Sequence, residues 1–166
     1  MSICNLKFGK LAVVLVLVVG SATASEPPPQ KPVAQGNLVI YDKRKDNGDW
    51  PVNCSIPFER TVTNFPDGDD GCTNDEAYGF KINNAESAAI VWFDDNGKCE
   101  GGGNFRFKLR TIKNPTSMTE VMPLDALDQY SAGQVVTPGL QLIEKNVDGQ
   151  IHGKLSCVEI TMSPLP

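Results

Sequence analysis

Apolar and polar residues alternate over short stretches of this chain, which is the pattern expected of half-buried β-strands. Residues 104–112 show it most clearly. One face of that stretch is apolar apart from a threonine and consists of Phe105, Phe107, Leu109 and Thr111. The other face is basic and consists of Arg106, Lys108 and Arg110. We expect the apolar face to be buried and the basic face to be solvated, with contact to an acidic partner as the alternative.

Further short stretches rich in β-forming residues also predict strands, namely residues 37–41, 59–65, 78–82, 88–93, 140–145 and 151–160. The turn pair Asp148-Gly149 between the last two stretches predicts a hairpin. A second hairpin is predicted from residues 78–82 and 88–93, and the second of these stretches ends at the turn sequence 94–97.

Helical structure is predicted at residues 123–128, where Pro123 would occupy the first helical position and Gly133 is available beyond the end. Elsewhere no helical period persists beyond about ten residues, and turn residues recur at a spacing of about 8–12 residues. We therefore predict a single all-β domain with one short helix. Its predicted architecture is a Greek-key β-sandwich with two disulfides.

The first 24 residues have the organisation of a cleavable signal peptide. Two lysines precede an apolar run at residues 11–19, and Ala22-Thr23-Ala24 supplies a small-x-small cleavage site. The run is shorter than the roughly 20 residues that span a bilayer, so no membrane anchor is expected. Residues 25–36 contain four prolines and predict an extended tether. This leaves residues 37–166 as the folded domain of a secreted or periplasmic protein.

The chain is acidic, with 15 Lys and Arg residues against 20 Asp and Glu residues among 166. Removal of residues 1–24 takes away two lysines and no acidic residue, so the net charge changes from −5 to −7. Nucleic acid and anionic membranes would be repelled by such a surface, and neither is expected as a partner. Cations and the basic surfaces of other proteins remain plausible partners.

Cysteine number agrees with export. Loss of Cys4 with the signal peptide leaves four cysteines, and an even number in an oxidising compartment predicts two disulfides with three possible connectivities. We favour Cys54–Cys72, which closes a local loop, and Cys99–Cys157, which ties the C-terminal strand to the predicted hairpin of residues 78–82 and 88–93. Zinc binding is the alternative, but no two cysteines have the C-x-x-C spacing of a zinc site.

Catalytic chemistry has little support in the sequence. His152 is the single histidine and therefore the one candidate histidine base, and it lies within a predicted strand among polar neighbours. A cysteine nucleophile requires a free thiol, which the predicted disulfides exclude. Acidic pairs suitable for glycoside hydrolysis are available in any chain with this many carboxylates, and nothing singles one out. We predict no catalytic residue.

The acidic loop near the middle of the chain is the more specific signal. It offers side-chain oxygens for a hard cation such as calcium, which takes six to eight oxygen ligands. The candidate ligands are Asp67, Asp69, Asp70, Asn74 and Asp75. A solvated turn in which the aspartates accept hydrogen bonds from local backbone donors is the alternative.

The residues that follow this loop carry a resemblance to a known family. Residues 74–79 lead into a predicted strand and are followed by Ile90-Val91-Trp92-Phe93-Asp94-Asp95. Together with Leu38-Val39-Ile40-Tyr41-Asp42, this arrangement resembles βγ-crystallin-type Greek-key domains over residues 37–101. Tyr78-Gly79 stands where that family has a hydroxyl pair. The resemblance implies a Greek-key sandwich with calcium as a structural ligand and without catalysis, on a fold that also includes small secreted protease inhibitors.

These observations favour an exported, non-catalytic protein that binds a partner protein, as an inhibitor or an immunity-type protein does. Export, disulfides, small size and an acidic surface without a catalytic set motivate this hypothesis. A calcium-binding crystallin-like protein with a structural or envelope role is the first alternative. A secreted hydrolase is the second.

Overall fold

The computed structural model of the protein describes residues 36–162. The predicted signal peptide at residues 1–24 and the predicted tether, apart from Gly36, lie outside the described residues. Within the described range, no helix is long and apolar enough to cross a membrane.

Short strands account for most of the regular structure. Ten strands are present in residues 36–162: β1 Asn37–Tyr41, β2 Val52–Pro57, β3 Thr61–Asn64, β4 Gly79–Asn83, β5 Ile90–Asp94, β6 Phe105–Thr111, β7 Met122–Pro123, β8 Val135–Thr137, β9 Leu140–Val147 and β10 Cys157–Thr161. Two 3₁₀ segments, Asp69–Gly71 and Leu124–Gln129, complete the elements of this part of the chain. The described part is therefore mainly β, as the alternating pattern predicts.

The strands form two antiparallel sheets. Sheet A contains four strands in the order β2-β1-β4-β7, and sheet B contains six strands in the order β3-β10-β5-β6-β9-β8. Within sheet B, the chain passes from β5 to β6 and, after β7 of sheet A and β8, reaches β9, before β10 returns to lie beside β5. The spatial order β10-β5-β6-β9 places the last of these four strands beside the first, as in a Greek key, with β7 and β8 inserted between β6 and β9.

One hydrophobic core joins the two sheets. Phe80 of β4 and Phe93 of β5 are fully buried, and their ring centroids lie 4.7 Å apart across the space between the sheets. The residues of β6 that were predicted to face inward are also buried there, with Phe105, Phe107 and Leu109 in the same core. The predicted all-β sandwich is confirmed.

The basic face of β6 is engaged within the domain. Arg106 Nε lies 3.1 Å from Asp94 Oδ2 in an ion pair, and its guanidinium carbon lies 3.9 Å from the centre of the Trp92 ring. The Lys108 ammonium lies 4.6 Å from the centre of the same ring, and its positive charge is attracted to the π-electrons of the indole. Arg110 donates a hydrogen bond to Gln141 Oε1. Intramolecular partners therefore account for much of this basic face.

Both predicted hairpins are wrong. β4 pairs with β1 and β7 in sheet A, whereas β5 pairs with β10 and β6 in sheet B. β4 and β5 each have an apolar face, and these faces pack against each other across the core. The two strands therefore do not form backbone hydrogen bonds with each other within one sheet. β9 and β10 also do not pair with each other, because β10 lies between β3 and β5.

The predicted disulfides are confirmed, with Cys54 bonded to Cys72 and Cys99 to Cys157. The first joins β2 to the acidic loop, and the second joins β10 to the loop that follows β5. Two disulfides indicate an oxidising environment, extracellular or periplasmic.

Three smaller features differ from the prediction. The predicted helix is a 3₁₀ segment that ends at Gln129, so Gly133 is not its terminating residue, and Pro123 is extended and lies just before it. The predicted strand at residues 151–160 is reduced to Cys157–Thr161. Strands β2, β7 and β8 were not predicted, and two of them contain only two or three residues.

Candidate functional site

A pocket of about 580 Å³ lies where the β1–β2 loop faces the start of β4, the 3₁₀ segment after β7 and the turn at residues 151–153. Its lining combines aromatic, basic and paired polar side chains: Lys43, Arg44, Trp50, Tyr78, Pro123, Asp125 and His152. These seven residues define what we call the Trp50–Tyr78 groove. A volume of this size is typical of sites for ligands or for the anchoring side chains of a partner.

The β1–β2 loop supplies the basic wall of the groove. Its backbone continues the hairpin beyond β1 and β2, since Asp42 N–H donates to Pro51 O and Lys45 N–H donates to Asp49 O, at 2.9 and 2.8 Å. Gly48 has φ of +92°, which a glycine adopts without strain, and its carbonyl accepts a hydrogen bond from Arg44 Nε. The loop is therefore ordered by its own hydrogen bonds and presents Lys43 and Arg44 at the rim.

Trp50 forms the floor beside this wall. An added Cβ on Gly79 would lie 3.1 Å from the Trp50 ring and 2.9 Å from Val121, so a larger residue at position 79 would displace the ring. The indole therefore packs directly on the β4 backbone. Because Trp50 is only partly buried, one part of the ring remains available to a ligand.

Tyr78 is fixed by its backbone on both sides. Its N–H donates to Tyr41 O at 2.7 Å, and its carbonyl accepts from Leu124 N–H at 2.9 Å. The ring then lies against His152, with ring centroids 5.6 Å apart. A side chain held by both neighbours loses little freedom when it binds a ligand.

His152 and Asp125 form the wall opposite the basic loop. His152 Nε2 lies 3.2 Å from Asp125 Oδ2, which links the turn at residues 151–153 to the 3₁₀ segment. The prediction that His152 lies in a strand is wrong. Gly153 has φ of +61° and donates its N–H to Ala77 O, and this conformation produces a turn at the position where the sequence pattern predicted a strand.

The groove continues into smaller depressions at both ends. One, of about 460 Å³, shares Arg44, Trp50 and Pro123 with it and extends to Glu120 and Val121. The other, of about 210 Å³, shares Lys43 and Tyr78 and is bordered by three acidic residues, Asp42, Asp75 and Glu76. The shared residues make the three depressions one elongated surface.

Within residues 36–162 no hydroxyl or free thiol is hydrogen-bonded to the His152 ring. The one polar side-chain contact of the His152 ring there is Asp125, and all four cysteines of this range are in disulfides. Burial raises the pKa of Tyr41 above its ordinary value of 10.0, so its hydroxyl stays protonated at neutral pH. What the groove offers is stacking surface, positive charge and hydrogen-bonding groups.

The acidic loop is hydrogen-bonded to the edge strand β3 of sheet B. Asp69 Oδ2 accepts from the Asn64 N–H of β3 at 3.1 Å, and Asp70 Oδ2 accepts from Thr63 Oγ1 at 2.7 Å. Asp67 Oδ2 accepts from the Asn64 side chain. The disulfide at Cys72 also ties the loop to β2, so the loop is joined to the edge strands of both sheets, and Asp69 satisfies one backbone N–H on the exposed edge of β3.

Hydrogen bonds and an ion pair divide the five predicted calcium ligands into two groups. Asn74 and Asp75 are bonded to each other, and Asp75 Oδ1 lies 3.5 Å from Lys154 Nζ, while the other three aspartates bond the β3 edge. Within residues 36–162 no group of three or more His, Cys, Asp or Glu side chains is placed to hold a metal ion. This arrangement matches the alternative of a capped turn more closely than a calcium site.

Calcium is accordingly expected to leave the melting temperature unchanged. A site with a Kd of about 10⁻⁴ M would stabilise the native state by about 2.7 kcal/mol at about 10 mM calcium, since ligand binding to the folded state adds to its stability. Thermal unfolding with calcium, with magnesium and with a chelator measures this directly. A rise of several degrees specific to calcium would show that the loop reorganises into a cation site.

No family model, curated protein or solved structure matches this chain. The resemblance to βγ-crystallin-type domains therefore stays a prediction.

Proposed function

We propose that this protein is an exported, non-catalytic binding protein that binds a partner protein through the Trp50–Tyr78 groove. The observation that carries the proposal is the presence of Trp50, Tyr78 and Arg44 in one concave surface. Tryptophan, tyrosine and arginine are the residue types that most often contribute the largest part of the binding energy at protein–protein interfaces.

The rigidity of the surroundings supports the same proposal. The groove residues come from a hydrogen-bonded loop, from the start of β4 and from a 3₁₀ segment, and two disulfides cross-link the domain that holds them. A preorganised surface loses little conformational entropy on association. Inhibitors and immunity-type proteins benefit from this property, because they must remain bound to an enzyme or a toxin.

Replacement of Trp50 by alanine is expected to weaken partner binding by about 30-fold, and replacement of Arg44 by alanine by about tenfold. The exported chain is immobilised and exposed to envelope and culture-medium extract of the producing organism. Retained proteins are then quantified by mass spectrometry for the wild type and for each variant. Arg44 is exposed, so its variant tests binding even if the Trp50 variant is destabilised.

The matched control is Val62→Ala, because Val62 is 54% exposed on the edge strand β3 and does not line the groove. The expected result is a protein retained by the wild type and by this control but depleted from both groove variants. Equal retention by all four proteins would overturn the assignment of the groove. Retention of no specific protein would overturn the binding function itself.

A further inference from the structure

We infer that the groove accepts an extended segment of the partner in which an acidic side chain adjoins an aromatic one. This inference rests on the proposed function and specifies the chemistry of the partner. The acidic side chain would lie between Lys43 and Arg44, and the aromatic side chain would lie on Trp50 and Pro123. The elongated shape of the groove, with a depression at each end, suits a segment of chain better than a single compact molecule.

The charges along the groove favour an acidic group at its centre. The Lys43 ammonium has no hydrogen bond or ion pair within residues 36–162, and the polar contact of the Arg44 guanidinium there is the carbonyl of Gly48. These two residues are adjacent in sequence and both line the central pocket, in a chain whose net charge is −5. A carboxylate bound between them would make charge-assisted hydrogen bonds, which are stronger than neutral ones.

The acidic residues nearby do not cancel this preference. Asp125 is the one acidic residue that lines the central pocket, against two cations there, and it also contacts His152. Asp75 is paired with Lys154. Asp42 accepts a hydrogen bond from the Asn53 side chain at 2.7 Å. The carboxylates of Glu120 and Glu76 border the two end depressions and not the central pocket. A bound segment would therefore meet positive charge at the centre of the groove and negative charge at either end.

The apolar floor of the groove favours an aromatic side chain in the bound segment. Trp50, Pro123 and Tyr78 present flat apolar surfaces in the pocket that the two cations border. An aromatic ring beside a bound carboxylate would stack on Trp50 and would be held near the Arg44 guanidinium, with which it can make a cation–π contact. Aliphatic side chains would gain less from this surface.

Tryptophan fluorescence offers a direct test, because the chain has two tryptophans and Trp92 lies on the outer face of sheet B. The Trp92→Phe variant of the exported chain leaves Trp50 as the single reporter. It is titrated with three capped tetrapeptides, Ala-Glu-Phe-Ala, Ala-Gln-Phe-Ala and Ala-Lys-Phe-Ala. The glutamate peptide is expected to bind about tenfold more tightly than the glutamine peptide, and the lysine peptide most weakly.

The Lys43→Gln and Arg44→Gln exchanges in the same reporter background are expected to remove the preference for the glutamate peptide. Equal affinity for all three peptides, a preference that persists in both variants, or no change in Trp50 fluorescence with any peptide would overturn the inference. The proposed function is tested separately by groove-dependent partner capture. Capture that depends on Trp50 together with indifference to the peptide charge would leave the function standing and remove the acidic segment.

Discussion

Replacement of Cys99 and Cys157 together by alanine is expected to lower the free energy of unfolding by about 4 kcal/mol. The disulfide between them has a sequence separation of 58 residues, and the entropy that a cross-link removes from the unfolded chain grows with the logarithm of that length. It also fixes β10, an inner strand of sheet B, to the loop after β5. Urea unfolding followed by fluorescence and by circular dichroism measures the change.

The matched control is the double alanine replacement of Cys54 and Cys72. This disulfide has a separation of 18 residues, for which the same entropy relation gives about 3 kcal/mol. We therefore expect both pairs to be strongly stabilising and the longer loop to contribute more. A loss below about 1 kcal/mol for the Cys99–Cys157 pair would contradict the role given to it, since native disulfides in small secreted domains typically contribute more than this.

Replacement of Phe80 by alanine is expected to lower the free energy of unfolding by about 3–5 kcal/mol. The side chain is fully buried, and its ring contacts Phe93 of the opposite sheet at 4.7 Å between centroids. Removal of the ring leaves a cavity between the two sheets that the surrounding strands can fill only in part. The measurement is the same urea unfolding experiment, with Val62→Ala as a surface control that should change stability by less than about 0.5 kcal/mol.

A double-mutant cycle with Phe80→Leu and Phe93→Leu tests the packing of sheet A on sheet B. Aromatic pairs in contact typically show a coupling of about 0.5–1.5 kcal/mol beyond their burial. A coupling in this range is the expected result. Strictly additive effects of the two exchanges would contradict the contact between the two rings and therefore the arrangement of the sandwich.

Features that depend on the local sequence, or on a choice among few combinations, were predictable. β6 follows the strict alternation of apolar and polar side chains, and the burial pattern of Phe105–Thr111 reproduces it residue by residue. β1 was predicted with the bounds that it has in the structure. The disulfide pairing followed from compartment, even number and loop closure. In each case the deciding interaction is local or is limited to a few combinations.

Strand pairing was not predictable to the same degree. Residues 78–82 and 88–93 are close in sequence and both rich in β-forming residues, which equally suits two edges in one sheet or two faces across a core. In the structure the two strands lie in different sheets, and their inward-facing side chains Phe80 and Phe93 meet across the core. Whether a connection remains in one sheet depends on the summed burial of all the strands, which a local pattern does not contain.

The groove could not be found from the sequence, because its residues come from four separate parts of the chain. Lys43, Arg44 and Trp50 lie in a loop, and Tyr78 precedes β4. Asp125 comes from the 3₁₀ segment and His152 from the turn at residues 151–153. The sequence singled out His152 as the one histidine and placed it in a strand. A signal was present in Gly153, since a glycine directly after the histidine permits the turn that brings His152 to Asp125.

The acidic loop shows the opposite case. Its composition suggested a cation site, and the sequence also allowed the alternative of a turn with capped backbone donors. Asp69 caps the Asn64 N–H of the edge strand β3 and Asp70 bonds the Thr63 hydroxyl, so the carboxylates close the side of the sandwich. The acidic composition indicated that the carboxylates of the loop have a role, and the three-dimensional arrangement shows which groups their oxygens contact.

The most direct test of the groove as a partner-binding surface is photo-crosslinking in the producing organism. A photoreactive phenylalanine derivative replaces Glu120, which lines the end depression that shares Arg44, Trp50 and Pro123 with the groove, or, as the control, Val62 on the exposed edge of β3. After irradiation of intact cells and medium, the cross-linked products are identified by mass. We predict an adduct of defined mass with one protein from position 120 and none from position 62. Equal adducts from both positions, or an adduct from position 62 alone, would contradict binding through the Trp50–Tyr78 groove.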